Sequence, residues 1–148
     1  SIKSLVETSS LVKGIRFEMI LGQEERYMRC DESQLKQVIL NICKNAIDAM
    51  QGQDDARLTV QTDYEEAANE IIISIRDNGK GISQENLRKL GSPFFTTKHN
   101  GTGLGLSVCF KIIQEHQGRI EIQSQLGKGT EFKIFLPCIA DEEYEEVI

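Results

Sequence analysis

The chain is predicted to fold as a two-layer α/β sandwich, one sheet covered by helices on a single face. Three observations carry this. An apolar period of 3.6 residues runs from Leu35 to Met50. Apolar residues recur with period two in Leu58–Thr62, Ile71–Ile75 and Phe132–Leu136, the pattern of a sheet with one covered and one wetter face. A second amphipathic segment, Leu104–Gln117, is opened by Gly101, Gly103 and Gly105 at every second position. At 148 residues, with 39% hydrophobic and 27% charged residues, one globular domain with a real core is expected.

Ser1–Gly14 reads as the end of a linker or helix. Ile15–Leu21 alternates as a strand, and Tyr27–Cys30 is expected to form a short second one. Asp31 stands where a helix needs a cap, with Gln34 in capping-box position, and Leu35, Val38, Ile39, Ile42, Ala46, Ala49 and Met50 keep the period up to Gly52. Arg57–Asp63 and Glu70–Asp77 follow as strands, with Ala67, Ala68 and Asn69 in their connection. Ser83 and Glu85 start a helix that ends near Leu90, and Gly91–Asn100 is a loop. Leu104–Gln117 is a helix with Leu104, Val108, Ile112, Ile113 and His116 inward and Gly118 as its stop. Arg119–Ser124 and Thr130–Leu136 alternate as a hairpin through Gly127–Gly129. The acidic tail after Pro137 is expected to fray.

Net charge is −6, but Asp141, Glu142, Glu143, Glu145 and Glu146 supply most of it. The body is near neutral, so no basic field draws nucleic acid. Between Asn78 and Thr102 the balance is positive, with Lys80, Arg88, Lys89 and Lys98 against Glu85. Cys30, Cys43, Cys109 and Cys138 lie far apart, at neither zinc-ligand nor redox spacing, and read as buried free thiols of a reducing compartment. No signal peptide or membrane-length apolar run is present, and a cytoplasmic location is expected. The sequence starts mid-pattern without Met, which suggests a fragment whose parent has room for a membrane anchor.

The chemistry concentrates in four places. The run GTGLGLS, Gly101–Ser107, precedes a helix, where glycines permit close approach and the first unpaired N–H groups favour an anion. Such a run serves equally as a tight connection. Asn41, Asn45 and Asp48 sit at i, i+4 and i+7, forming one stripe beside the apolar face of their helix. They are either a solvated edge or ligands facing a cleft, and their oxygens suit a hard divalent cation that bridges phosphates. DNGKG, Asp77–Gly81, joins a strand to a helix; an Asp held there can accept a hydrogen bond from a planar exocyclic amine while the glycines leave space for a purine ring. In Pro93–Lys98 one of Phe94 and Phe95 anchors the loop, Lys98 is placed to close over a charged ligand, and Ser83–Thr102 reads as a mobile lid. His99 has no assigned role, and His116 reads as a core-edge histidine.

NICKNAIDAM (Asn41–Met50), DNGKGI (Asp77–Ile82), PFFTTK (Pro93–Lys98), GTGLGLS and GKGT (Gly127–Thr130) resemble, in order, the N, G1, F, G2 and G3 boxes of sensor histidine kinases. The N and F boxes are also similar to those of Gram-positive sporulation-type kinases. The resemblance spans Ile15–Leu136. It implies the ATP-binding fold shared with gyrase, the heat-shock chaperone of the ninety class and the MutL repair proteins: a mixed, mostly antiparallel sheet covered by about three helices, with ATP under a flexible lid. It divides the chain into a remnant of an absent dimerisation domain (1–14), an ATP-binding catalytic domain (15–137) and a tail (138–148).

Carried over residue by residue, the resemblance makes Asp77 the adenine acceptor, Gly79 and Gly81 the space beside the ring, and Thr130 a water-mediated adenine contact. Asn45 becomes the Mg²⁺ ligand, Asn41 a neighbour of the phosphates, Lys98 a lid contact, and Gly101, Gly103 and Gly105 with the Leu104 and Leu106 amides the phosphate cradle. Asp48 stands where some relatives carry a basic residue. Relatives that hydrolyse ATP place a Glu where this chain has Asn41, and an amide is no base at neutral pH. The expected reaction is therefore transfer of the ATP γ-phosphoryl to a histidine on a separate dimerisation hairpin, with a response regulator downstream. His99 precedes Asn100 and His116 precedes Gln117, so neither matches the phosphoacceptor pattern. The isolated domain is expected to be a monomer and the full-length kinase a homodimer. A serine kinase of the anti-sigma-factor type and a nucleotide-binding module without transfer activity are the alternatives.

Overall fold

Alternation and periodicity resolve into eight elements across residues 14–22, 28, 30–90 and 105–138, the residues that this computed structural model describes. Strand β1 is Arg16–Ile20, helix α1 Glu32–Ala49, β2 Arg57–Glu65, β3 Glu70–Asp77, α2 Gln84–Lys89, α3 Gly105–Glu115, β4 Arg119–Gln125 and β5 Gly129–Pro137. The strands form one sheet in the order β1-β2-β3-β5-β4. β1 and β2 run parallel, as a crossover through α1 allows, and the other pairs are antiparallel.

The register decides which side chains meet the helices. Val60, Ile75, Phe132 and Ile122 form one cross-strand row, and Thr62, Ile73, Ile134 and Ile120 the next. These rows join Val38, Ile42, Ala46 and Ile47 of α1 and Cys109, Ile112 and Ile113 of α3 in one core. The other sheet face is mainly polar, with Ile72 and Phe135 paired on it. Arg76 bridges Glu131 at 3.2 Å and donates to Gln61 at 2.8 Å, while Arg119 reaches Glu70 at 2.8 Å and stacks 4.0 Å over Phe135. One covered and one wetter face is the predicted arrangement.

Several local expectations change in detail. Asp31 caps α1, accepting the Gln34 N–H at 3.1 Å. The Asp31 N–H, however, goes to His116 Nε2 at 2.9 Å, and His116 Nδ1 faces the Ile112 carbonyl at 2.7 Å. That pair of partners requires the proton on Nδ1 and makes His116 a tie between the end of α3 and the start of α1. Val108 is 37% exposed, because the inner face of α3 is centred on Cys109, Ile112 and Ile113. At the end of α3 it is Gln117 that turns left-handed, at φ +65°. Gly118 is required for a different reason: a Cβ there would run into the Phe135 carbonyl. Met28 and Cys30 are not in a strand, and Tyr27 and Arg29 lie outside the described residues. All four cysteines are free, but only Cys43 and Cys109 are buried, Cys30 being exposed. Among the described residues no helix is long and apolar enough to cross a membrane.

Candidate nucleotide-binding site

The apolar rows of the covered face stop at one end in a polar one. Leu58, Asp77, Thr130 and Ser124 are successive partners across β2, β3, β5 and β4, so three polar side chains stand where the rows above carry isoleucine and phenylalanine. Burial pushes the Asp77 carboxyl up from 3.8 to about 6, against the pull of the Gly79 and Thr130 backbone N–H groups that it accepts. The Gly79 bond measures 2.9 Å. A carboxylate kept at the rim of a core at that cost is a functional candidate. Thr130 is 6% exposed, and its hydroxyl lies 2.7 Å from Ser124 Oγ.

The DNGKG loop is fastened on three sides. Asn78 Oδ1 accepts the Arg57 N–H at 2.8 Å, and its Nδ2 donates to the Asp55 carbonyl at 2.8 Å. Lys80 N–H donates to the Ala49 carbonyl at the end of α1, and the Lys80 carbonyl accepts the Gly127 N–H at 2.8 Å. The two glycines answer to these contacts. A Cβ on Gly79 would stand 2.7 Å from the Ala49 carbonyl oxygen, and Gly81, at φ +74°, lies directly against the Gln125 carbonyl. The close packing they display is against the protein's own backbone.

Asn41, Asn45 and Asp48 are each half-buried along α1. At one end of this stripe Asn41 Nδ2 points at Cys109 Sγ of α3, 3.8 Å away. At the other, Asp48 lines an open cleft of about 690 Å³ with Ala49, Asn78, Gly79 and Lys80. The stripe therefore leads from α3 to the DNGKG loop, about 10 Å of helix. A second open cleft, about 370 Å³, is lined by Asp77, Ser124, Lys128 and Thr130 among others. Neither cleft is lined by Asn41, Asn45 or Leu106.

At the start of α3, Gly105 is exposed, with nothing within 4 Å of where a Cβ would be, and Leu106 packs on the core. Lys98, Gly101, Gly103 and Leu104 lie outside the described residues, as do Phe94, Phe95 and His99. Ser83 caps α2 by accepting the Asn86 N–H at 3.2 Å, so the strand-to-helix reading of the loop is correct. Burial pushes the Cys43 thiol up to about 12 and raises Cys109 as well, which leaves both as neutral packing groups. Among the described residues no three His, Cys, Asp or Glu side chains gather into a metal cage. Mg²⁺ commonly keeps phosphate and water oxygens among its ligands, so a site built on one amide oxygen suits it.

Sequence reading missed Ser124 and the bracing role of Asn78. Both signals are positional: each depends on a register that alternation alone does not set.

A helix-covered mixed sheet whose covered face ends in a half-buried acid, with an amide-bearing helix stripe leading to the loop after it, suits a nucleotide-binding α/β domain. The model of the histidine kinase-, DNA gyrase B- and HSP90-like ATPase family matches residues 30–139, and the chain belongs to that family. Sporulation kinase C of Bacillus subtilis is 39% identical over 141 residues, covering 95% of this chain and 32% of that protein. Sensor histidine kinase ZraS of Salmonella typhi is 37% identical over 140 residues, covering 95% and 30%. The catalytic domain of histidine kinase ThkA superposes with TM-score 0.78 at 31% identity, over 92% of this chain and 87% of that one. The chain is thus a catalytic domain of the histidine-kinase type, and it spans between 18% and 32% of the length of the curated relatives it matches.

Proposed function

We propose that the chain binds ATP with Mg²⁺ between α1, the end of β3 and the start of α3, and passes the γ-phosphoryl to a histidine on a separate helical hairpin of a longer kinase. The observation that carries this is the polar row Asp77–Thr130–Ser124 at the rim of the core, with the Asn41–Asn45–Asp48 stripe leading to the loop that follows Asp77. The Asp77 carboxylate accepts two backbone N–H groups and keeps lone pairs for an exocyclic amine. Asn45 offers an amide oxygen to the cation, and the start of α3 offers N–H groups to the phosphates. Mg²⁺, when bound, neutralises charge on the phosphate oxygens.

Asn41 directs the choice of nucleophile. Its amide faces the Cys109 thiol and takes no proton at neutral pH, so it does not activate water. An imidazole nitrogen then attacks the γ-phosphorus in line: the N–P bond forms as the bond to the β,γ-bridging oxygen breaks, and ADP leaves. Lys98, Gly101, Gly103 and Leu104 belong to this proposal as lid and cradle. So do the 15–137 domain bounds, a response regulator downstream, a cytoplasmic setting, a monomeric isolated domain and a dimeric parent.

The test supplies the chain with γ-labelled ATP, Mg²⁺ and a purified histidine-bearing hairpin. Acid-labile phosphate on the hairpin is the expected product. Steady phosphate release to water without transfer, or acid-stable phosphoserine on a protein substrate, would overturn the proposal.

A further inference from the structure

The Ser124 hydroxyl has three hydrogen-bond partners. Its Oγ accepts the Ile82 N–H at 2.8 Å, donates to the Gly129 carbonyl at 2.9 Å and lies 2.7 Å from Thr130 Oγ1. One hydroxyl has a single proton and two lone pairs. With its proton on Gly129 and one lone pair taken by Ile82, Ser124 has one lone pair left, and the 2.7 Å contact with Thr130 is then a bond that Thr130 donates. Thr130 Oγ1 then has no proton to offer and two lone pairs that are not committed to Ser124. The opposite assignment, Ser124 donating to Thr130, forfeits its bond to the Gly129 carbonyl. Thr130 lines the same cleft as Asp77, whose ionised carboxylate is also acceptor-only.

We infer that Ser124 is a positioning residue for nucleobase selection: it takes up the Thr130 hydroxyl proton and so keeps Thr130 an acceptor, directly or through one water, beside Asp77. The two N–H protons of a 6-amino group can each meet one of these acceptors, whereas a 6-carbonyl in the same place faces two acceptors and is repelled. The ligand class selected is a 6-aminopurine nucleotide over a 6-oxopurine nucleotide. Ser124 also couples this choice to loop geometry, since the same Oγ holds Ile82, the residue that follows the DNGKG loop. The inference rests on the proposed ATP site, and it concerns a residue that none of the five boxes contains.

The experiment measures ATP and GTP affinity by calorimetry for the wild-type chain, Ser124→Ala, Ser124→Thr, Thr130→Val and the Ser124→Ala/Thr130→Val double variant. Ser124→Ala frees the Thr130 rotor and lowers the ATP-over-GTP ratio about five- to tenfold. Ser124→Thr, which keeps the hydroxyl, restores the ratio to within about twofold. In the Thr130→Val background, Ser124→Ala leaves the ratio unchanged, because there is no hydroxyl left to orient. A merely structural Ser124 would weaken both nucleotides together, and a constant ratio in Ser124→Ala overturns the inference. So does an equal fall of the ratio in the Thr130→Val background. If Ser124→Ala does not fold, Thr130→Val alone decides: its ratio must fall by the same factor, and an unchanged ratio overturns the inference. A wild-type chain that binds ATP and GTP equally overturns the adenine reading of Asp77 as well, which separates the two failures.

Discussion

Asp77 and Thr130 are register partners on antiparallel β3 and β5, and the Thr130 backbone N–H donates to the Asp77 carboxylate. The contact is supplied by the main chain, so substitution at Thr130 leaves it in place, and the two side chains can be varied one at a time. Asp77 itself carries a conflict. The proposed site uses its charge for the ligand, while burial disfavours that charge.

Asp77→Asn should therefore move two observables in opposite directions. The amide keeps an oxygen for the Gly79 and Thr130 N–H groups and removes a partly buried charge, so thermal stability at pH 8 rises, by about 1 kcal/mol after allowance for partial exposure. ATP affinity falls tenfold or more, as expected for loss of a charge-assisted bond of about 1.5–3 kcal/mol. Melting curves and calorimetry on one preparation check both. A variant of unchanged affinity would remove Asp77 from the base contact.

The same carboxyl sets a pH dependence. Because its folded value lies near 6 and its ordinary value at 3.8, the folded chain binds more protons than the unfolded one between those limits. The stability associated with this group is thus fully present below about pH 4 and is lost as pH rises through about 6. Affinity runs the other way. ATP binding weakens as pH falls from 7 to 5, by about tenfold, as the acceptor is protonated. Titrations at fixed ionic strength check the sign, and Asp77→Asn should flatten the profile.

Gly79→Ala and Gly81→Ala test whether the loop is pinned by protein backbone. Gly79 meets the Ala49 carbonyl and Gly81 pairs positive φ with a collision at Gln125, so each variant should lose about 2 kcal/mol or more in chemical denaturation. Gly52→Ala is the control. It shares a positive φ, at +79°, but has open space around it, and should lose only about 1 kcal/mol.

His116 predicts a tautomer. Nε2 accepts from Asp31 and Nδ1 faces the Ile112 carbonyl, so ring ¹⁵N shifts should show the neutral Nδ1–H form. His116→Ala removes both partners and should cost about 1 kcal/mol in stability. Shifts of the Nε2–H tautomer would contradict the tie between α3 and α1.

Most elements were legible from residue spacing, the exception being the strand expected at Tyr27–Cys30, where Met28 and Cys30 are in none. Val38, Ile42 and Ala46 mark the buried face of α1 without any tertiary information, and Ile71, Ile73 and Ile75 mark that of β3, because each periodicity is local. Asp31 and Ser83 announced their helices because a cap acts within three residues. The contacts between elements were not legible. That His116 replaces Gln34 as partner of the Asp31 N–H depends on where α3 ends against α1, and that Ser124 meets Thr130 depends on the register of β4 with β5. Glycines were ambiguous for the same reason. A missing side chain shows that something comes close, but not whether it is a ligand or, as at Gly79, a carbonyl of α1.

Calorimetric titration of the chain with ATP, with and without Mg²⁺, tests most directly whether the polar row and the α1 stripe form one metal-nucleotide site. The account predicts saturable binding that Mg²⁺ strengthens several-fold in the wild-type chain, and an Asn45→Ala variant that still binds ATP but no longer responds to Mg²⁺. Absence of binding heat at millimolar ATP, or an Asn45→Ala response to Mg²⁺ equal to that of wild type, would contradict it.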